Sequence, residues 1–120
     1  MSNHPLIIHG THIIIDIYDI ENTESLKFTD NIITILNNIV NKFNLNVVGK
    51  AIHQFEPFGV TGVYILSESH LSIHTFVEEG KVAMDLYTCS DNRNFDDIVK
   101  YIKLLYDDDD CIIRFKVIKR

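Results

Sequence analysis

The segment SESHLSIHT, residues 67–75, is crowded with side chains that exchange protons or act as nucleophiles. It holds three serines, two histidines, a threonine and a glutamate, and apolar strand-like segments flank it on both sides. Each of these residues taken alone usually has a structural role, bonding across a sheet or facing solvent. Their concentration within one short segment, with Cys89 farther along the chain, indicates a reaction.

Two common chemistries fit this segment poorly. On a strand, His70 and His74 would lie about 13 Å apart, which is too far for one zinc ion, and Cys89 has no second cysteine near it. The G-x-S-x-G turn that presents the nucleophile of α/β-hydrolases is absent from the sequence. The sequence therefore predicts neither a metal site nor a serine hydrolase.

Composition limits the protein's class and its partners. A chain of 120 residues with 46% hydrophobic residues predicts a single domain over 1–120. The net charge of −6 argues against nucleic acid, which needs clustered Lys and Arg. The sequence has no apolar run of membrane-spanning length and no signal-peptide pattern, so we expect a cytoplasmic protein without membrane contact. Cys89 and Cys111 are predicted to be reduced thiols.

Hydrophobic periodicity predicts the elements that position these residues. In the first strand, Asp16 and Tyr18 share one face, and Ile13, Ile15 and Ile17 share the opposite one. The predicted order is a strand over 12–20, a helix from Thr29 or Asp30 (its cap) to Phe43, a strand over 46–55 with a bulge at Gly49, two or three antiparallel strands over 62–89 with a hairpin turn at 78–81, a helix over 94–106, and an edge strand over 111–120. This pattern predicts an α+β fold, a two-layer sandwich of a mostly antiparallel sheet with two helices on one face.

Two longer segments resemble one family. The stretch FEPFGVTGVYILSESHLSIHTFVEEGKVAMDLYTCSD, residues 55–91, resembles the core of the prokaryotic S-adenosylmethionine decarboxylases, which reads F-x-P-x-G-V-S-G-V, E-S-H-L-x-I-H-T-W-P-E and a strand ending T-C-G. The stretch GTHIIIDIYDI, residues 10–20, resembles the family's opening G-x-H-x-x-x-[DE]-x-Y. The resemblance implies a homodimeric, pyruvoyl-dependent decarboxylase of polyamine biosynthesis, which makes the aminopropyl donor for spermidine.

The resemblance also implies how the cofactor forms. The chain would cleave itself between Glu68 and Ser69 into a fragment of residues 1–68 (the beta chain) and one of residues 69–120 (the alpha chain). The Ser69 hydroxyl would attack the Glu68 carbonyl and exchange the amide for an ester. Elimination and hydrolysis would then release ammonia and leave a pyruvoyl group at position 69. That group would bind the substrate amine as a Schiff base and accept electrons as CO2 leaves.

Roles for three further residues follow from the same resemblance. His74 would transfer the proton for elimination, a task suited to an imidazole near neutral pH. Cys89 would act as the general acid that returns a proton to the substrate α-carbon. Thr61 stands where the family usually has a serine that assists processing. It keeps the hydroxyl and adds a methyl group, so we expect slower cleavage.

The substrate pocket departs further from the family pattern. By resemblance, Phe55 and Phe76 would sandwich the adenine ring, while Glu78 or Asp16 would favour the sulfonium charge. Phe76 and the next residue replace the family's usual Trp-Pro, so the stacking area is smaller. A loosened adenine clamp leaves open an alternative substrate, ornithine or arginine, on the same scaffold.

Two further points bear on this interpretation. Retention of Glu68, Ser69, His74 and Cys89 together argues against a non-processing regulatory homologue. Strict alternation puts Ser69 and His74 on opposite faces of a continuous strand. A kink around residues 70–71 would bring them together, and strain there would assist the acyl shift.

Overall fold

The computed structural model of the chain describes residues 10–67, 69–89, 94–106 and 110–120. The predicted cleavage partner Glu68 lies outside the described residues, so the scissile bond itself is seen only from its Ser69 side. In the part of the chain that is described, no helix is long and apolar enough to cross a membrane.

Six strands in these ranges form one antiparallel sheet, and two α-helices accompany it. The elements are β1 (Thr11–Tyr18), α1 (Thr29–Lys42), β2 (Val47–Gln54), β3 (Val60–Leu66), β4 (Ser69–Phe76), β5 (Lys81–Thr88), α2 (Phe95–Tyr106) and β6 (Ile112–Lys119). The sheet order is β2-β3-β4-β5-β1-β6, which makes β6 an edge strand as predicted. The predicted α+β sandwich is confirmed.

The core lies between the helices and one face of the sheet. In β1 the buried residues alternate along the strand, and Ile13, Ile15 and Ile17 are nearly inaccessible to solvent. The apolar stripe of α1, including Ile32 and Leu36, and that of α2 are buried in the same core. Each fully buried side chain of this size contributes about 1.5–3 kcal/mol, so burial on this face stabilises the sheet and leaves the alternating residues to form its other face.

The opposite face of the sheet is called the helix-free face here. It carries the residues that alternate with the core positions. Its central members are His12, Ile14, Asp16 and Tyr18 of β1; Thr61, Val63 and Ile65 of β3; His70, Ser72, His74 and Phe76 of β4; and Lys81, Ala83, Asp85 and Tyr87 of β5.

The end of β1 differs from the predicted one. β1 ends at Tyr18 because Asp19 adopts a left-handed conformation, with φ of 60°. Ile20 then donates its N–H to the Gly80 carbonyl at 2.9 Å. Gly80 also has a positive φ, and a Cβ there would lie 2.8 Å from the Ile20 carbonyl oxygen, so only glycine fits this crossing.

The predicted cap of α1 is wrong. Phe28 occupies the N-cap position, and no side-chain cap bond forms from Thr29 or Asp30. Instead, the Thr29 N–H donates to the side-chain oxygen of Gln54 at 3.0 Å, and the Gln54 amide donates to the Gly59 carbonyl at 3.0 Å. One side chain from β2 therefore ties the start of α1 to the β2–β3 turn.

Candidate active site

Thr61 and His74 form a polar pair on the helix-free face. They lie directly opposite each other in the β3–β4 register. The Thr61 hydroxyl and the His74 Nδ1 atom are 3.1 Å apart, within hydrogen-bond distance. The His74 side chain is exposed, so its other ring nitrogen can meet a group outside this chain. The structure thus brings together the two residues predicted to serve proton transfer and processing.

A cavity of about 210 Å³ opens at the Phe76 end of β4. It is lined by Phe58, Gly59, Thr75, Phe76, Val77, Glu78 and Glu79. The predicted pocket residues Phe76 and Glu78 therefore share one cavity. Phe55 does not line it; its ring packs against His53 with centroids 4.6 Å apart.

Lys81 places a cation between the rings of Phe76 and Tyr18. It pairs with Phe76 in the β4–β5 register, and its Nζ lies 5.2 Å from the Phe76 ring centroid. The same atom lies 5.1 Å from the Tyr18 ring centroid. A cation between two rings gains a cation–π attraction and keeps both rings oriented toward the helix-free face.

Ser69 begins β4 at the opposite end of the strand. Its hydroxyl oxygen is buried and has no hydrogen-bond partner among the described residues. It lines a cavity of about 160 Å³ with Ser67 and Thr88. Leaving a buried hydroxyl unbonded costs about 1–3 kcal/mol, so such a group calls for a functional explanation.

Cys89 stands close to the same end of the sheet. It directly follows β5 and its side chain is exposed. His70 pairs with Tyr87 in the β4–β5 register, so the end of β5 runs beside the start of β4. The chain order and this register bring Cys89 to the Ser69 end. Neither cysteine is in a disulfide, in agreement with the predicted thiols.

The strand that joins these two ends has no kink. β4 runs from Ser69 to Phe76 with a regular register against both of its neighbours. Five residues of strand separate Ser69 from His74 by about 16 Å, and alternation puts their side chains on opposite faces. The structure therefore brings together Thr61 with His74, and Ser69 with the Cys89 end of β5, but it does not bring Ser69 and His74 together in one chain.

A hydrogen-bonded cluster that the sequence does not predict lies between the two ends. The Nε2 atoms of His12 and His70 donate to the same Asp85 oxygen at 2.7 and 2.8 Å. The Ser72 hydroxyl donates to the other Asp85 oxygen. The alternation of polar residues on β1 and β5 was visible in the sequence, but finding the cluster required the register that aligns three strands.

This cluster sets the charge at the middle of the helix-free face. Burial alone would raise the pKa of the Asp85 carboxyl. The hydrogen bonds from Ser72, His12 and His70 outweigh burial and hold that pKa below its ordinary value. The ligand atoms of His12, His70 and Asp85 lie within 4.8 Å of one another, so these residues have the chemistry to hold a metal ion. The expectation of no metal remains a prediction.

Comparisons with known proteins agree with this geometry. The sequence model described as S-adenosylmethionine decarboxylase matches residues 11–115. The chain belongs to the S-adenosylmethionine decarboxylase family. The sequence resemblance is thereby confirmed over nearly the whole of the described sheet.

Individual relatives show the same family likeness. The S-adenosylmethionine decarboxylase proenzyme of Picrophilus torridus is 38% identical over 78% of this chain and 75% of its own length. That of Clostridium botulinum strain Langeland is 37% identical over 78% of this chain and 80% of its own. The crystal structure of the adenosylmethionine decarboxylase from Aquifex aeolicus superposes with a TM-score of 0.84 at 31% identity, covering 96% of this chain and 92% of that one. These names favour the S-adenosylmethionine interpretation over the ornithine or arginine alternative.

Proposed function

We propose that this chain is a proenzyme that cleaves itself between Glu68 and Ser69 and then decarboxylates S-adenosylmethionine. The product would be the aminopropyl donor for spermidine synthesis. The observation that carries the proposal is the buried hydroxyl of Ser69, which has no partner among the described residues. A nucleophile that is not engaged in another hydrogen bond is available to attack the adjacent carbonyl. The proenzyme names of the relatives support the same interpretation.

Self-cleavage draws on Ser69 itself. Its Oγ attacks the Glu68 carbonyl carbon, the Oγ–C bond forms, and the C–N bond to Ser69 breaks, so an ester replaces the amide. Loss of the Ser69 α-proton then eliminates the Glu68 carboxylate, and water releases ammonia from the remaining enamine. The residue at position 69 is left as a pyruvoyl group, which supplies an electron sink for decarboxylation.

The other site residues divide the proton transfers. His74, held by Thr61 at 3.1 Å, moves the proton in the elimination step. Cys89, exposed at the end of β5, returns a proton to the substrate α-carbon after CO2 leaves. No step in this scheme needs a metal ion. Phe76 stacks on the adenine at the cavity beside β4, and the Glu78 carboxylate, which lines the same cavity, favours the sulfonium charge.

The 16 Å gap along β4 supports a homodimeric site. The helix-free face exposes apolar side chains, including Ile14 at 39% and Ile65 at 53%, which a second copy of the chain can bury. Two copies that pack through this face, with their strands antiparallel across the interface, bring each Ser69 end to the His74 end of the other copy. In that arrangement each site takes Ser69 and Cys89 from one chain and Thr61 and His74 from the other. Because the Ser69 side chain starts on the opposite face, this first residue of β4 must also turn toward the shared face before His74 of the other copy can take its α-proton.

Intact-mass analysis and a substrate assay test the proposal. We expect fragments of residues 1–68 and of a pyruvoyl-blocked 69–120, together with CO2 release from S-adenosylmethionine and none above background from ornithine or arginine. A chain that stays whole after prolonged incubation would favour a non-processing homologue. A cleaved chain that consumes only ornithine or arginine would leave the self-cleavage chemistry standing and overturn the substrate.

A mixing experiment tests the shared site. Ser69→Ala and His74→Ala chains are each expected to remain uncleaved alone. When the two are unfolded, mixed and refolded together, the heterodimer contains one complete pair, so the His74→Ala chain should be cleaved and the Ser69→Ala chain should not. Absence of any cleavage in the mixture, with heterodimers present by native mass spectrometry, would exclude a site shared in this way.

A further inference from the structure

Asp85 is the only residue of its cluster that touches three others, and it connects β1, β4 and β5 within the described part of the sheet. One carboxylate oxygen accepts from His12 and His70, and the other accepts from Ser72. The carboxylate side chain is 22% exposed and the His12 side chain 17%, so both lie largely out of solvent. Hydrogen bonds to a charged group in such a setting are the stronger kind.

His70 connects this cluster to the reaction. It directly follows Ser69, so its backbone nitrogen is bonded to the carbonyl carbon of the residue that becomes the pyruvoyl group. Its ring is held on three sides: by the Asp85 oxygen at 2.8 Å, by the His12 ring at 5.9 Å and by the Tyr87 ring at 6.2 Å between centroids. Fixing this side chain fixes the backbone to which the reacting group is attached.

We propose that Asp85 is a positioning residue for the chemistry at Ser69, acting through the His70 imidazole. The inference rests on the proposed function and adds to it a residue that lies outside the reacting set. Attack of Oγ on a carbonyl carbon requires the two atoms to be held about 3–3.5 Å apart, and a shift of an ångström is costly. Asp85 supplies that restraint from the neighbouring strand β5, which the cleavage leaves intact.

The same carboxylate also acts after cleavage. The new terminus at position 69 has lost its covalent link to β3 and keeps only its attachment to His70. The His70–Asp85 bond then becomes a principal restraint on the orientation of the reactive carbonyl. This predicts an effect on kcat rather than on KM, because Phe76 and Glu78 line a cavity at the other end of β4.

Proton sharing explains the cluster's geometry without a bound ion. The two imidazole–carboxylate distances of 2.7 and 2.8 Å are those of charge-assisted hydrogen bonds. A bound transition metal would lie about 2.0–2.2 Å from each ligand atom and would replace the Nε2–H bonds, so metal binding and these hydrogen bonds exclude each other. The test therefore includes a metal arm.

The isosteric variant Asp85→Asn tests the inference in the full-length chain. We expect self-cleavage at least ten-fold slower than in the wild type, and in the cleaved fraction a lower kcat with KM unchanged. Asp30→Asn, the same change at an exposed position of α1, should leave both rates unchanged. If the wild type cleaves itself, and Asp85→Asn cleaves and turns over at the same rates as the wild type, this inference alone is overturned. If the wild type stays uncleaved, the proposed function is overturned.

A double-mutant cycle separates positioning from a general effect on the fold. If Asp85 acts through His70, the double variant Asp85→Asn/His70→Gln should cleave no more slowly than His70→Gln alone. Multiplied rate losses in the double variant would show that Asp85 acts by another route and would overturn the inference. Should Asp85→Asn fail to fold, Ser72→Ala retains the charge, removes one support of the carboxylate and should slow cleavage several-fold; no slowing there would count against the inference.

The metal arm uses the wild-type chain with EDTA and with added Zn²⁺. Cleavage rates should not change in either condition. Loss of cleavage in EDTA that Zn²⁺ restores in the wild type, and not in Asp85→Asn, would identify a metal centre and overturn the positioning role.

Discussion

The two ends of β4 present opposite kinds of reactive group. At the first residue, the Ser69 hydroxyl is buried and lacks a partner among the described residues. Near the last residue, His74 is exposed and its Nδ1 atom is already engaged with Thr61 at 3.1 Å. A buried hydroxyl that is left unbonded lowers the stability of the fold, whereas an exposed pair of a threonine and a histidine has little effect on it.

The difference shows how a single strand can carry both halves of a reaction that it cannot complete alone. The hydroxyl oxygen of the nucleophile is buried, and the proton-transfer pair lies where a second molecule can reach it. Asp85 lies between the two ends and holds His70 next to the nucleophile. In the proposed dimer, each end would meet the other kind of end on the partner chain.

Removing the nucleophile should have the largest effect. Ser69→Ala should leave the chain whole, since alanine has no hydroxyl to attack the carbonyl of the preceding residue. Intact-mass analysis measures this directly. Ser25→Ala, which removes a serine hydroxyl from the segment before α1, is the matched control and should cleave normally. Cleavage of Ser69→Ala at the same bond would mean that the two ends have been assigned the wrong chemistry.

Exchanging the proton-transfer groups should separate cleavage from turnover. His74→Ala should stall at the ester, from which hydroxylamine still releases fragments. Cys89→Ser should cleave and yet lose turnover by about 100-fold or more, because a hydroxyl is a far poorer acid than a thiol at neutral pH. Cys111→Ala, at a buried position just before the edge strand β6, should cleave and turn over. Equal and complete loss of cleavage in the His74 and Cys89 variants would contradict this division.

Removing the Phe76 ring at the His74 end of β4 should lower activity on the substrate and leave the rate of self-cleavage unchanged. Phe76→Ala should lower kcat/KM for S-adenosylmethionine about ten-fold or more, since stacking and buried area are both lost. Phe76→Trp should keep or raise it. Phe115→Ala removes a similarly exposed ring on the edge strand and should change nothing. An unchanged kcat/KM in Phe76→Ala would mean that the adenine does not bind in this cavity.

Much of the fold was predictable because it depends on local periodicity. The alternation around Ile13 and Ile15 requires one buried face in β1, and the stripe through Ile32 and Leu36 requires an amphipathic helix. The cap of α1 was not predictable in this way. Gln54 supplies it from β2, and nothing within the helix's own sequence indicates an acceptor 25 residues away.

The candidate site divides in the same manner. The contact of Thr61 with His74 depends on the β3–β4 register, which the short connection between these strands nearly fixes. The cluster around Asp85 needs β1 placed beside β5, a pairing between residues 73 positions apart for His12 and Asp85. Sequence periodicity states which face a residue occupies, but only the tertiary register states which residues it meets there.

The smallest expected effect is on stability, and it comes from Asp85, which lies between the two ends of the helix-free face. The fold lowers the pKa of the Asp85 carboxyl, so the ionised form is the one that the folded state favours. Its contribution to stability is therefore fully present above about pH 4, the ordinary range of a carboxyl, and is lost as the pH falls through the lower folded pKa.

At pH 7, the free energy of unfolding of Asp85→Asn should be about 1–2 kcal/mol below that of the wild type, since charge-assisted hydrogen bonds are lost at a partly exposed site. Urea unfolding of uncleaved chains, compared in the Ser69→Ala background from pH 7 to pH 3, measures the gap, which should narrow in acid. Asp30→Asn in the same background should show a much smaller gap, and a gap for Asp85→Asn that stays constant down to pH 3 would mean that its ionised form gains nothing from the cluster.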